Sequence, residues 1–112
     1  MRIAVIGSRT VRVDNLEVYL PKECTEIVSG GARGIDACAA KWAVEHGITL
    51  TEFLPEYEKY GRAAPIVRNR LIVEYADAVL AFWDGKSRGT LSVIKYCEEL
   101  GKNCSVISVP VA

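Results

Sequence analysis

The sequence lacks the features of a metal-binding, secreted or membrane protein. It has no C-x-x-C pair and a single histidine, so a metal site of the zinc type is not expected. The apolar run at the N-terminus stops at Gly7, which is too short for a signal peptide, and no run approaches the length of a membrane-spanning helix. We therefore expect a cytoplasmic protein with no membrane partner, in which Cys24, Cys38, Cys97 and Cys104 are reduced thiols that pack as small apolar side chains.

The sequence also lacks net charge, because 14 lysines and arginines balance 14 aspartates and glutamates. A neutral chain has no overall attraction for nucleic acid, so a nucleic-acid partner is not expected. Its 112 residues suffice for one hydrophobic core, which predicts a single domain over residues 1–112. Six of the eight arginines fall in or beside predicted loops and helix starts, which indicates a localised anion site: Arg9, Arg33, Arg62, Arg68, Arg70 and Arg88.

The segment S-G-G-A-R-G-I-D at 29–36 is the most informative stretch of the chain. It places three glycines in five positions between a β-branched run and a helical run. Glycine allows close approach to the backbone, and the N-terminus of the following helix favours an anion. Arg33 adds a planar cation suited to phosphate. The spacing is neither G-x-G-x-x-G nor that of a P-loop, so we predict a different anion-binding turn. The alternative is a turn whose glycines serve packing alone.

The order of predicted elements alternates strand and helix along the whole chain. This pattern predicts an α/β, three-layer Rossmann-like fold with a five-stranded parallel sheet in the order 3-2-1-4-5. In that order, ligands bind at the carboxyl ends of the strands, next to strands 1 and 4. The glycine-bearing turns after strands 1, 2 and 4 should therefore meet at one edge. The predicted strands are 2–6, 25–29, 48–54, 76–83 and 105–109.

Several helix details are also predicted. Asp14 and Glu17 resemble a capping box, which would begin a short helix that Pro21 ends. In the helix that begins near residue 65, Val67, Leu71 and Tyr75 form a stripe at helical spacing, with Ile72 flanking it. Arg68 and Arg70 lie about 200° apart on that helix, so they should not share one role, and the sequence leaves open which faces the site. In the last helix, Leu91, Ile94, Cys97 and Leu100 should face inward.

With the turns placed, the sequence resembles the SLOG superfamily of Rossmann-like nucleotide-binding proteins, and in particular its small members related to YspA and YpsA. The matching segments span nearly the whole chain: G-S-R at 7–9, S-G-G-A-R-G-I-D at 29–36, Y-G-R-A-A at 60–64, R-N-R at 68–70, A-D at 76–77, and F-W-D-G with S-R-G-T at 82–90. The resemblance implies a nucleotide-derived ligand. By analogy with the superfamily, a homodimer is expected, although no stretch of the sequence demands one.

Two more distant groups of the superfamily suggest other activities. Some segments are similar to DprA/Smf, which binds single-stranded DNA, but Ala40 stands where that group has a histidine. The helix with Arg68 and the pair Gly89-Thr90 are similar to the LOG phosphoribohydrolases. Those enzymes carry a catalytic glutamate two residues after the threonine, where this chain has Ser92. Because Ser92 replaces this glutamate, we favour a binding protein over an enzyme. Asp36 and Asp84 are the weaker candidates for a catalytic acid.

The sequence therefore predicts a binding module for a nucleotide or a nucleotide derivative, acting as a sensor or processing module. The alternatives are a nucleotide hydrolase and a single-strand nucleic-acid binder, for which Tyr57 and Tyr60 would be the stacking surfaces because both tryptophans are expected in the core. Mg²⁺ could accompany the nucleotide at Asp84. The predicted ligand-binding residues are Gly7, Ser8, Arg9, Gly30, Gly31, Ala32, Arg33, Gly34, Asp36, Arg62, Arg68, Asn69, Asp84, Gly85, Ser87, Arg88, Gly89 and Thr90.

Overall fold

Strands and helices alternate along the chain in the computed structural model, which describes residues 1–109. The strands are β1 (Arg2–Gly7), β2 (Glu26–Ser29), β3 (Thr49–Glu52), β4 (Ala78–Trp83) and β5 (Cys104–Ser108). The helices are α1 (Ile35–Glu45), α2 (Tyr57–Tyr60), α3 (Ala64–Tyr75) and α4 (Arg88–Leu100). Two 3-10 helices, at Leu16–Val18 and Gly61–Ala63, lie in the connections. None of the helices within 1–109 is long and apolar enough to cross a bilayer.

The sheet has the predicted topology. Its five strands lie in the order β3-β2-β1-β4-β5, and all four neighbouring pairs are parallel. The α/β fold class and the strand order are therefore confirmed. Because the strands are parallel, all of their carboxyl ends lie at one edge of the sheet. The order reverses between β1 and β4, so a crevice forms at that edge.

Apolar side chains fill both faces of the sheet. Ile3 and Val5 of β1 belong to the buried cluster that includes residues of α1. The intervening Ala4 and Ile6 belong to a second cluster, which includes residues of α3 and α4. Successive side chains of a strand point to opposite faces, so β1 contributes to both cores. Helices thus cover the sheet on both sides, which gives the three-layer arrangement.

The predicted capping box near the start of the chain is wrong. The 3-10 helix Leu16–Val18 begins after Asn15, and no side chain caps it. The carboxylate of Glu17 instead accepts a hydrogen bond from Nε1 of Trp42, at 2.9 Å. A long-range contact with α1 therefore takes the carboxylate that a local cap would have used.

The predicted stripe of α3 is confirmed at Tyr75, which packs against the core, and is wrong at Leu71. Leu71 is 44% exposed, whereas Ile72 and Val73 are buried against the sheet. This helix carries apolar residues on several sides, so helical spacing alone does not select one face. In α4, Ile94 and Cys97 face inward as predicted, but Leu100 at the last turn is 48% exposed.

Candidate functional site

An open cleft of about 400 Å³ lies at the carboxyl ends of β1, β2 and β4. The turns after these three strands meet there, as their positions in the sheet predict. Twelve of the predicted ligand-binding residues line it: Gly7, Ser8, Arg9, Gly30, Ala32, Asp36, Arg68, Asn69, Asp84, Ser87, Gly89 and Thr90. The sequence analysis missed Ile6, Thr10, Pro65, Ile72 and Val93, which also line the cleft. Thr10 could have been found because it continues the turn of Ser8 and Arg9.

The turn after β1 is held against β4. The backbone N–H of Ser8 donates to the carbonyl oxygen of Phe82 at 3.2 Å, which extends the pairing of the two strands. The Ser8 side chain is buried, and its Oγ accepts a hydrogen bond from the N–H of Asp84 at 3.4 Å. These contacts fix the floor of the cleft between the first and fourth strands.

Two amide groups of the glycine-rich turn after β2 donate to side chains of the same segment. The N–H of Gly31 donates to Oγ of Ser29 at 3.3 Å, and the N–H of Ala32 donates to Oδ2 of Asp36 at 3.0 Å. The Asp36 carboxylate therefore occupies the position that an external anion would take at the start of α1. Burial raises the pKa of Asp36, while its backbone hydrogen bonds and the nearby Arg68 act in the opposite direction.

Arg68 is the arginine of α3 that faces the cleft. Its Nη1 donates to the carbonyl oxygen of Gly30 at 2.7 Å, and its Nε donates to Oδ1 of Asn69 at 2.8 Å. Burial lowers the pKa of Arg68, and the nearby Asp36 raises it. Arg70 points elsewhere, with its guanidinium 5.1 Å from the ring centre of Tyr96. The two arginines thus have separate roles, as their helical spacing predicts.

The turn between β4 and α4 is fixed by two side chains. Oδ1 of Asp84 accepts hydrogen bonds from the N–H groups of Lys86 and Ser87, both at 2.8 Å. These bonds lower the pKa of Asp84, so this carboxylate is ionised at neutral pH. Ser87 caps α4, because its Oγ accepts from the N–H of Thr90 at 3.3 Å. The remaining first-turn N–H groups have no carbonyl partner within the helix.

Gly89 stands in that first turn at a position where the fold does not require glycine. A Cβ atom built there would meet no atom within 4 Å. A Cβ at Gly7, in contrast, would lie 2.6 Å from the carbonyl oxygen of Phe82. Among the nine glycines of the chain, all within residues 1–109, only Gly89 has neither a close neighbour nor a positive φ. Its missing side chain leaves this part of the cleft wall open.

Six of the predicted site residues do not line the cleft. Arg33 and Arg62 are exposed, and Gly85 lies in the turn before α4 with a φ of 83°. Gly31 packs against Leu54 instead. The remaining two are Gly34, which packs against the backbone of Ser8 and Arg9, and Arg88, which lines a groove between α3 and α4.

Residues suggested for metal binding or stacking lie as follows. Within the described part of the chain, no three His, Cys, Asp or Glu side chains group together as a metal site would require. Both tryptophans pack against the core and are half-buried. Nε1 of Trp83 donates to the carbonyl oxygen of Ser87 at 3.0 Å, which ties β4 to the start of α4. Tyr57 and Tyr60 are exposed on α2, beside the cleft rather than in it.

Comparison with known proteins gives two matches. A family model described as the YspA, cpYpsA-related SLOG family matches residues 1–60. The Gene 61 protein of Mycobacterium phage D29 is 35% identical over 81 residues, which is 67% of this chain and 65% of that protein. The chain thus spans less than two thirds of the length of this relative. The family match includes the turns after β1 and β2, and it ends before Arg68 and Gly89.

Proposed function

This chain belongs to the YspA, cpYpsA-related SLOG family, and on that premise we propose that it binds a nucleotide or a nucleotide-derived small molecule in the cleft. Membership of this family suggests a nucleotide-related function on a Rossmann-like fold. The particular ligand site is argued below from the residues of the cleft.

The phosphate of the ligand binds at the start of α4 rather than at the glycine-rich turn after β2. The Asp36 carboxylate already accepts from the amide of Ala32, so this amide is not free to bind a phosphate. The start of α4 offers first-turn amides and the dipole of a helix of 13 residues. Thr90 lies in the same turn, with its Oγ1 3.1 Å from Oγ of Ser87.

The observation that carries this proposal is the open position of Gly89. Glycine in a helix costs about 0.5–1 kcal/mol relative to alanine, and neither a close contact nor a positive φ explains it here. A phosphate that lies against the backbone of this turn gives the glycine a role. Arg9 and Arg68 line the same cleft and supply positive charge. Hydrogen bonds to Gly30 and Asn69 already hold the Arg68 side chain, so ligand binding loses little additional side-chain entropy there.

The second candidate function is hydrolysis of the bond between base and ribose of a bound nucleotide. It is favoured by one observation, because the two carboxylates of the cleft have pKa values shifted in opposite directions, with Asp36 raised and Asp84 lowered. Such divergence separates a proton donor from an ionised carboxylate. In this reaction, an ionised carboxylate stabilises the oxocarbenium-like transition state, while the acid protonates the leaving base. Ser92 is exposed and lies outside the cleft, so it takes no part.

Thermal melting tests the proposal, with AMP, ADP, ATP, NAD, ADP-ribose and a short oligonucleotide as probes. A ligand at 100 times its dissociation constant stabilises the protein by about 2.7 kcal/mol, which is several degrees for a domain of this size. We expect mononucleotide-type probes to raise the melting temperature of the wild type and of Arg33→Ala, and not that of Arg68→Ala. Arg33 is the matched control, since it is exposed and outside the cleft.

Three results of this experiment would point elsewhere. No shift with any probe contradicts nucleotide binding, and loss of the shift in Arg33→Ala alone contradicts the position of the site. A shift with the oligonucleotide alone that weakens as salt is raised favours single-strand nucleic-acid binding instead. Release of free base on prolonged incubation with a mononucleotide, abolished in Asp36→Asn, distinguishes the hydrolase from the binding module.

A further inference from the structure

A second cavity, of about 290 Å³, lies beside the cleft at the end of β3. Residues of β3, α2 and α3 surround it, among them Leu54, Tyr60, Val67 and Leu71. Arg68 lines both this cavity and the cleft. Arg68, which donates to the carbonyl oxygen of Gly30 at 2.7 Å, therefore lies between the two spaces.

The glycine-rich turn after β2 also separates the two spaces. Gly30 and Ala32 line the cleft. A Cβ atom at Gly31, between them, would lie 2.5 Å from Cδ2 of Leu54 and 3.3 Å from Oε2 of Glu52, both of which line the second cavity. The backbone of residues 30–32 therefore borders the cleft on one side and the residues of the second cavity on the other.

The walls of the second cavity combine charged side chains with large apolar ones that are exposed. Leu54 is 62% exposed, Leu71 is 44% exposed and Tyr60 is 37% exposed. Large apolar side chains that share one exposed patch are a common mark of a ligand surface. Its charged groups are the two acids Glu52 and Glu56 and the two bases Lys59 and Arg68, so the cavity has no net charge. A flat, uncharged group suits these walls better than a second phosphate.

We propose that the cavity formed by Leu54, Tyr60, Leu71 and Glu52 binds the nucleobase of the ligand, and that it selects a base with an exocyclic amino group. This inference rests on the proposed nucleotide-binding function. Tyr60 provides an aromatic surface for stacking, and Leu54 and Leu71 provide apolar contacts. The amino group of the base donates a hydrogen bond to the Glu52 carboxylate, which an oxo group at the same position cannot do.

The groove on the other side of the cleft has a different character. It lies between α3 and α4 and is lined by Arg70, Arg88 and Lys95, with Glu99 as its one acidic residue. Its excess of positive charge suits an additional anionic group rather than an uncharged base. A cation lies near the aromatic ring of each space, with Arg70 5.1 Å from the ring centre of Tyr96 and Lys59 5.2 Å from that of Tyr60, so the net charge of the lining is what distinguishes them. The neutral cavity beside β3 is therefore the better base site.

Calorimetric titration with AMP, IMP and ribose 5-phosphate tests this inference. AMP and IMP differ at one exocyclic group, while ribose 5-phosphate keeps the phosphate and sugar but has no base. We expect wild-type protein to bind AMP about tenfold or more tightly than ribose 5-phosphate, and to prefer AMP over IMP. Tyr60→Ala should weaken AMP binding by about tenfold and leave ribose 5-phosphate unchanged, whereas Tyr60→Phe should retain AMP binding. Glu52→Gln should reduce the preference for AMP over IMP.

The control variant is Tyr96→Ala, which removes an aromatic ring from the groove between α3 and α4. It should leave all three affinities unchanged. If Tyr96→Ala weakens AMP binding and Tyr60→Ala does not, the base lies in that groove and the inference is overturned. Equal affinity of the wild type for AMP and ribose 5-phosphate also overturns it, while leaving phosphate binding intact. If the wild type binds neither compound but another mononucleotide-type probe raises its melting temperature, the base site fails and the proposed function stands; if no probe binds, both fail.

Discussion

The Asp36 carboxylate accepts a hydrogen bond from the backbone N–H of Ala32 at 3.0 Å, inside the turn that joins β2 to α1. The chain thus supplies its own anion at the helix start that the sequence identifies as the phosphate site. The carboxylate is buried, with Arg68 near it on the cleft side. This hydrogen bond fixes the turn and occupies the amide of Ala32, which is then not free to bind a ligand phosphate.

We expect Asp36→Asn to retain the fold, because the amide oxygen of asparagine can still accept from Ala32. Since burial raises the pKa of Asp36, the folded protein binds its proton more tightly than the unfolded chain does. Stability from this group is therefore gained as pH falls from the folded pKa towards about 3.9, the ordinary value, and is lost as pH rises. The variant should gain stability over the wild type at pH 7, and this gain should shrink as the pH approaches 4.

Urea unfolding of both proteins at pH 7 and near pH 4.5 measures this difference. AMP binding at pH 7 should be retained or strengthened in Asp36→Asn, because a negative charge near the cleft is removed. A variant that is less stable than the wild type at pH 7 but equal to it near pH 4.5 would contradict this, since it would mean that the charged form of Asp36 stabilises the fold.

Gly34→Ala should destabilise the protein strongly. Gly34 has a φ of 72°, and a Cβ atom there would clash with the backbone of Ser8 and Arg9. The backbone conformation alone costs a non-glycine residue about 1–3 kcal/mol, and the clash adds to it because backbone atoms cannot easily move aside. Gly61 is the matched control, because its φ of 56° and ψ of −130° are close to the 72° and −123° of Gly34, but no atom lies within 4 Å of its Cβ position.

Urea unfolding at pH 7 distinguishes the two variants. We expect Gly61→Ala to lose about 1–3 kcal/mol of unfolding free energy and Gly34→Ala to lose more. Equal losses of unfolding free energy would show that the backbone of the turn after β1 does not clash with the methyl group added at Gly34.

The fold could be predicted from the sequence because the same alternation of strand and helix patterns recurs along the whole chain. Five apolar runs alternate with helical runs, and parallel order with right-handed crossovers leaves few arrangements. The face of α3 was not predictable, because Leu71 and Ile72 are neighbours of equal hydrophobicity and contact with the sheet selects Ile72. The hydrogen bond between Trp42 and Glu17 joins residues 25 positions apart, so no local sequence pattern predicts it.

The sequence predicted where the site lies but not which side chains reach it. Sheet order brings three turns together, but it does not say which side chains point inward. Arg33 lies in the most distinctive motif of the sequence, yet it is exposed. Arg68 lines the cleft and binds Gly30, which is 38 positions earlier in the chain. That Asp36 bonds to its own turn depends on a side-chain rotamer, which a sequence pattern does not fix.

The proposal that a phosphate lies against the first turn of α4 is tested most directly by Gly89→Ala. The added methyl group meets no atom within 4 Å, so it should leave the fold intact and add up to about 1 kcal/mol of stability. It would project into the space that the phosphate needs, so the affinity for AMP should fall by about tenfold or more. Ser92→Ala, an exposed change in the same helix, should alter neither property.

Calorimetric titration of AMP into wild type, Gly89→Ala and Ser92→Ala, with urea unfolding of each, is therefore the decisive measurement. A variant at Gly89 that is as stable as the wild type or more so, yet binds AMP at least tenfold more weakly, is the predicted result. If Gly89→Ala binds AMP as tightly as the wild type does, no phosphate lies against this turn and the account of the site is wrong.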